Sequence, residues 1–535
     1  MEEEKKKFGL FFKNKSVEYS KFFVDTKNQF YDLPSNKNRE NLSVRYPLIK
    51  PYSFVKIYWN SEVEELLYEV QEPQMDENLY DIFKVVKGGL EELINIKFTG
   101  TDTGKLIDFL QQTVESILLE LGLKLENSNF LKIMYYIYRD FIGFNQIEPL
   151  LSDYYIEDIE CNGVNSPLYV VHRKYGTLKS NIIFEDIDRL TELVEKMAQK
   201  SGRYVSYSQP LLDATLPDGS RVNATYTKDI TTRGPTFTIR KFSKEPWSPT
   251  HLLSMRSGSP EMFAYIWLAV ENGLNIMVIG ETGSGKTTFL NAFTEFIPPQ
   301  ARICSIEDTR ELNLPHENWL PAVTRQGFNV GSNVHANEIT LFDLLKETFR
   351  QNPDYVIVGE IRGEEASVLF QGMASGHSSF GTFHASSPDA LVRRLTTPPI
   401  NLSPTLVETL DIVAVAIHNK EQKVNIRRIK ELDEIDRIDK NGEVIYNKVY
   451  SWDPKLDSYN FSKKSLVLEK ISGISGRSVS DLQKEITRRA LFLKRLEENK
   501  ILGFKDFNNA ILEYYLNPDS AEEKITQNVL GAAYE

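Results

Sequence analysis

The chain is poor in cysteine: Cys161 and Cys304 are the only two in 535 residues. Two thiols cannot build a disulfide framework or a four-cysteine zinc site. Both sit among apolar neighbours, which predicts buried free thiols in a reducing compartment. Long apolar runs are also missing. No stretch reaches the roughly 18 residues of a membrane-spanning helix. Met262 to Val270 comes nearest, and Glu271 and Asn272 follow it. The opening residues MEEEKKK hold no apolar segment of the kind a signal peptide needs. A basic excess is absent too. The net charge of −12 argues against a general nucleic-acid binder. Residues 1–50 depart from this, with eleven Lys and Arg against seven Asp and Glu. Repeats and low-complexity stretches do not occur. What remains, 41% hydrophobic and 26% charged, is the composition of a globular protein, and the length predicts two or more domains.

Residues 1–45 form a charged, aromatic-studded extension. Phe8, Phe11, Phe12 and Tyr19 have roughly helical spacing. Three readings stand: a helical cap on its own chain, a segment docking on a partner or a membrane, and a nucleic-acid arm. An α+β domain is expected over residues 46–241. It has a strand at Ser53 to Trp59, helices at Leu79 to Leu93, Lys105 to Leu121 and Leu131 to Phe141, and a helix carrying Ile187, Leu190, Val194 and Met197. A Pro-rich linker is expected at 242–252. Residues 253–535 then alternate apolar runs with helical segments, which predicts a mainly parallel sheet flanked by helices. The expected strands are Ile276–Ile279, Ile303–Ile306, Tyr355–Val358, Ser379–Phe383 and Ile412–Ile417. A β-meander is expected over 424–462 and a helical tail beyond it. One helix of that tail carries Leu482, Ile486, Leu493 and Leu496 and is expected to end at Gly503.

The densest chemistry lies at Gly280-Glu281-Thr282-Gly283-Ser284-Gly285-Lys286-Thr287, a complete G-x-x-x-x-G-K-[ST] phosphate loop. The apolar run Ile276 to Ile279 precedes it, and a helical segment begins at Thr287 and Thr288. That context lets Gly280, Thr282, Gly283, Ser284 and Gly285 wrap backbone N–H groups around phosphate oxygens. Lys286 can reach the β- and γ-phosphates, and the Thr287 hydroxyl can ligate Mg²⁺. The expected ligands are therefore ATP and Mg²⁺.

A triphosphatase also needs carboxylates and balancing cations. Ile303 to Ile306 ends in the acidic cluster Glu307, Asp308 and Glu311. Tyr355 to Val358 leads to Gly359 and Glu360. The second resembles a Walker B segment, but Gly359 stands where many such motifs have Asp. The direct Mg²⁺-linked aspartate is missing. A third segment, residues 372–385, is rich in small residues and holds His377 and His384. Metal binding is not expected there, and of the two histidines His384 better suits a phosphate-sensing or subunit-contact role.

These segments occur together as GETGSGKT, IEDTREL, GEIRG and GHSSFGTFHAS. They resemble the Walker A, Asp box, Walker B and His box of the type II/type IV secretion ATPase superfamily. NGVNSPLYVVHRKYG, LPDGSRVNATY and FTIRKF are similar to its archaeal branch, whose members assemble type IV pili or drive the archaellum. The two cysteines cannot supply the tetracysteine zinc element often found in the bacterial type II branch. The resemblance runs from about Tyr46 to the C-terminus. It implies a RecA-like P-loop NTPase core with an α+β N-terminal domain and a helical C-terminal tail. It also implies a homohexameric ring with nucleotide between the two domains of a subunit. Arg221 and Arg240 match the family arginines that reach over the nucleotide. Glu360 is the first choice to activate water; Glu307 is the second, linked to Mg²⁺ directly or through water. The implied partner is the polytopic membrane platform protein of the filament. The implied location is the cytoplasm, peripherally on the cell membrane, with residues 1–45 as a candidate contact. The rival expectations are a hexameric nucleic-acid translocase and an ATP-binding switch with negligible turnover.

Overall fold

The computed structural model describes residues 19–26, 31, 33–34, 39–93, 103–242, 245–325, 328–330, 333–336, 338–419, 426–440, 442–462 and 464–532. The chain divides into two units, Met1–Lys241 and Phe242–Glu535.

The N-terminal unit is built on a nine-stranded sheet. Its order is Ser43–Ile49, Ser53–Asn60, Glu65–Gln71, Gly176–Ile183, Pro167–His172, Ile156–Cys161, Thr236–Arg240, Arg221–Thr225 and Leu211–Thr215. All neighbours are antiparallel except Glu65–Gln71 with Gly176–Ile183. Ser53–Asn60 alternates buried and half-buried side chains, as a sheet with one face on a core requires. Helices Glu77–Leu93, Thr103–Glu120, Asn127–Ile137 and Ile187–Lys200 supply many of the other core side chains. The last begins where Asp186 accepts the N–H of Asp188, and it buries Leu190, Leu193, Val194 and Met197 on one face.

The core does not begin at Tyr46. Phe22, Leu33 and Leu42 are already buried in it. Tyr19 stacks on Phe130 at 4.0 Å, Lys21 pairs with Asp108 at 2.9 Å, and Asp25 bridges to Lys50. The described part of the extension therefore belongs to this unit: residues 19–26 are irregular chain, and a 3-10 turn at Arg39–Asn41 leads into the first strand. Phe8, Phe11 and Phe12, on which the helical spacing rested, lie outside the described residues.

The C-terminal unit centres on a second nine-stranded sheet. Its order is Trp319–Val323, Ile303–Glu307, Tyr355–Ile361, Ser378–Phe383, Ile276–Gly280, Ile412–Asn419, Ile426–Ile438, Val444–Asp453 and Ser458–Phe461. The first six are parallel and the last three continue antiparallel. A strand separates the phosphate-loop strand from the Glu360 strand, the arrangement of a RecA-like core. Along Ile276–Gly280, Ile276 and Val278 enter one core while Met277 and Ile279 enter the other. Both sheet faces are covered, which is why the sequence shows a continuous apolar run there.

The most apolar segment is the helix Pro260–Glu271. It is started by the Ser259 hydroxyl, and Met262 to Val270 are buried on every side. Trp267 of this helix packs against Phe296, Phe492 and Tyr514. Among the described residues, no helix is long and apolar enough to cross a membrane. The C-terminal tail is helical, as expected, but Gly503 does not end a helix. Val479–Glu498 stops at Asn499, and Gly503 opens Phe504–Leu516.

Phe22 tests the packing of the N-terminal segment. Phe22→Ala is expected to destabilise the N-terminal unit by about 3 kcal/mol in urea unfolding, the usual cost of emptying a buried aromatic site. A change under about 0.5 kcal/mol would return the segment to the status of an appendage.

Candidate nucleotide site

The phosphate loop is locally forced. Gly280, Gly283 and Gly285 have φ of 157°, 76° and 91°, a region that side chains with a Cβ avoid. At Gly280 a Cβ would lie 2.3 Å from the Ala416 carbonyl oxygen and 2.5 Å from Ser284 Oγ. The loop is thus pressed against the neighbouring strand Ile412–Asn419. Ser284 is fully buried, and its hydroxyl has no hydrogen-bond partner among the described residues. Thr282 is exposed; Thr287 and Thr288 are half-buried in the first turn of the helix Lys286–Thr294. That helix directs its positive end at the loop.

Lys286 is buried and donates to the Glu281 carbonyl at 3.1 Å and to His384 Nδ1 at 3.3 Å. His384 Nε2 lies 2.8 Å from Glu360 Oε1. These partners fix the tautomer: Nδ1 accepts from the ammonium and Nε2–H donates to the carboxylate. Burial, then the Lys286 charge, lowers the pKa of His384 despite Glu360 beside it, so the ring is neutral near pH 7. Burial also lowers the pKa of Lys286, opposed by Glu360 and Glu311. The Arg394 guanidinium donates to the His384 carbonyl, anchoring the backbone after strand Ser378–Phe383.

Glu360 is additionally paired with Arg362 at 2.6 Å, and Arg362 reaches Asp308 at 3.5 Å. Burial alone would raise the pKa of Glu360. The Arg362 hydrogen bond and charge, with His384 and Lys286, outweigh it and hold the carboxyl below its usual range. Glu307 is different. It is buried, and its Oε1 accepts the N–H groups of Glu311 and Leu312, each at 2.9 Å. Its Oε2 is buried with no hydrogen-bond partner among the described residues. Burial pushes its pKa up to about 7 against those two N–H donors.

The glycine in the Walker B position has a steric cause. A Cβ at Gly359 would lie 2.9 Å from Glu307 Cγ. Glu307 fills the space that a side chain there would need. Thr382 locks the spot by donating to the Gly359 carbonyl at 2.6 Å.

The structure thus brings together Lys286, Glu307, Glu360 and His384 at the ends of neighbouring strands, where ligands bind in such sheets. Arg221 and Arg240 belong to the N-terminal unit. They face each other in register on adjacent strands. Arg221 makes a two-point contact with Asp213 at 3.1 and 2.9 Å, and Arg240 pairs with Asp158 at 3.2 Å. His377 stays apart from the site, edge-on to Phe349. Sequence reasoning missed Arg362 as a site charge, although it stood in the GEIRG motif.

The model of the type II/IV secretion system protein family matches residues 143–431, more than half of the chain. The chain belongs to this family. It is 38% identical over 389 residues to an uncharacterised protein of Methanocaldococcus jannaschii, covering 72% of this chain and 70% of that protein. It is 29% identical over 321 residues to the type IV secretion system protein PtlH of Bordetella pertussis, covering 54% of this chain and 92% of PtlH. Among solved structures, the Legionella pneumophila ATPase DotB matches at 15% identity and a TM-score of 0.38, over 68% of this chain and 89% of DotB. Family membership makes this a secretion-family ATPase.

Glu307 gives a pH test. The folded chain keeps a proton on it between the ordinary value of 4.5 and about 7, where the unfolded chain has released it. Metal- and nucleotide-free protein therefore loses about 3 kcal/mol of this contribution as pH rises through that window. Glu307→Gln is expected to flatten the fall in urea stability between about pH 5 and 8. An identical slope in variant and wild type would show that Glu307 does not titrate there.

Proposed function

We propose that this chain is a ring-forming Mg²⁺-dependent ATPase. Its cycle powers assembly or rotation of an archaeal type IV-like filament through a polytopic membrane platform protein. The observation that carries the enzymatic part is the chain from Lys286 through His384 to Glu360. It ties the phosphate-binding ammonium to a carboxylate through one neutral imidazole. A γ-phosphate on Lys286 competes for the same proton donor, so its arrival and departure are felt at Glu360.

Glu360 orients the attacking water in this reading, because it is the ionised carboxylate linked to Lys286. Glu307 suits the metal: its orphaned, buried Oε2 is an acceptor for a Mg²⁺-bound water, with the Thr287 hydroxyl as a direct ligand. When bound, the ion would neutralise charge on the β- and γ-phosphates. A role for Arg221 and Arg240 toward the triphosphate rests on the family resemblance alone. A homohexamer on the cytoplasmic face of the membrane follows from the same resemblance.

Lys286→Ala is expected to abolish ATP binding and turnover. Glu360→Gln should keep ATP binding within about threefold while turnover falls at least about 100-fold, as expected when a water-orienting group is lost. Equal turnover in Glu360→Gln and wild type would remove Glu360 from the chemistry. For the ring, the rate per subunit should rise with protein concentration, together with a shift to larger species in sedimentation. A constant rate from a monomer would refute assembly-dependent hydrolysis.

A further inference from the structure

The phosphate-loop strand has two parallel neighbours. His384 follows the carboxyl end of one, Ser378–Phe383, and defines the Lys286 flank of the loop. The other neighbour, Ile412–Asn419, carries His418 near its own carboxyl end. Opposite His418, in register on the antiparallel strand Ile426–Ile438, stands Arg427. Both lie beside the loop. A Cβ placed on Gly285 would lie 3.4 Å from Arg427 Cδ, and one placed on Gly283 would lie 4.0 Å from His418 Nδ1. Both side chains are half-buried. Ser284, between Gly283 and Gly285 in the chain, is fully buried, and its hydroxyl has no hydrogen-bond partner among the described residues.

Charge and direction decide what this second flank can hold. Lys286 turns toward His384 and Glu360, so the γ-phosphate end of a nucleotide belongs on that side. The amides of the loop take the α- and β-phosphates. A nucleotide running along the loop brings its α-phosphate to the side of Gly283 and Gly285. A guanidinium whose Cδ reaches Gly285 is a planar group suited to two-point donation to phosphate oxygens.

We propose that Arg427, with His418 beside it, is the second flank of the nucleotide site and binds the α-phosphate end of a nucleoside di- or triphosphate. The inference rests on the phosphate loop being the nucleotide site. Arg427 holds the part of the ligand common to ATP and ADP, whereas the Lys286, His384 and Glu360 flank senses the part that differs. It therefore contributes to the affinity for substrate and product alike and leaves the hydrolytic step to the other flank.

The test is isothermal titration of the full chain with ADP, for wild type, Arg427→Gln, Arg427→Lys and Lys286→Ala. Arg427→Gln is expected to weaken ADP about tenfold, the scale of a lost charge-assisted hydrogen bond, and to weaken ATP by the same factor. Arg427→Lys keeps the charge but not the planar fork and is expected to weaken ADP about threefold. The lysine variant decides alone if the glutamine variant does not fold. ADP affinities of both variants within the error of wild type, alongside loss of binding in Lys286→Ala, would overturn the Arg427 assignment and leave the phosphate loop intact. Absence of ADP binding by wild type itself would bring down the phosphate-loop reading and the Arg427 assignment with it.

Discussion

The C-terminal unit depends on one constraint: strand Ile276–Gly280 is paired in parallel on both edges and covered on both faces. A strand held on four sides cannot shift. Its last residue, Gly280, meets the Ala416 carbonyl so closely that no side chain is tolerated. The loop that follows inherits that rigidity. Its glycines take left-handed conformations, and the first turn of the next helix starts at Lys286. Preorganised amides cost little to aim at phosphate, which is what an anion site requires.

Around that fixed loop, charge is partitioned rather than pooled. Glu360 is kept ionised by Arg362, His384 and Lys286, against the effect of its burial. Glu307, a neighbour through Gly359, is desolvated until its pKa approaches neutrality. Two carboxyls whose environments push their pKa values apart are suited to different tasks. Gly359 is what allows them to sit so close. The substitution that looked like a defect in the Walker B pattern is the space in which the other carboxylate lies.

The N-terminal unit shows a second use of burial. Phe22 and Tyr19 pack into the core, and polar contacts at Lys21 and Asp25 hold the segment between them. Aromatic residues interleaved with lysines suggested alternatives to self-packing because composition does not say which face a side chain meets. In the described residues Phe22 turns inward and Tyr19 stacks on Phe130, while Phe23 and Lys21 stay exposed.

The phosphate loop, the five parallel strands and the RecA-like class were legible because each rests on a local pattern: glycine spacing, apolar runs of strand length, and their alternation with helices. The strand Trp319–Val323 was not, because its side chains are half-buried or exposed at the sheet edge and leave no apolar run. Gly503 misled for a related reason, since a glycine marks a helix boundary without saying which helix it bounds. By itself the sequence determined the phosphate-loop motif and the residue types that surround it. Only the tertiary structure decided that Glu307 fills the space a side chain at Gly359 would need, that His384 joins Lys286 to Glu360, and that Arg427 lies beside the loop. Those pairings join residues dozens to more than a hundred positions apart, and strand order, not chain order, sets which of them meet.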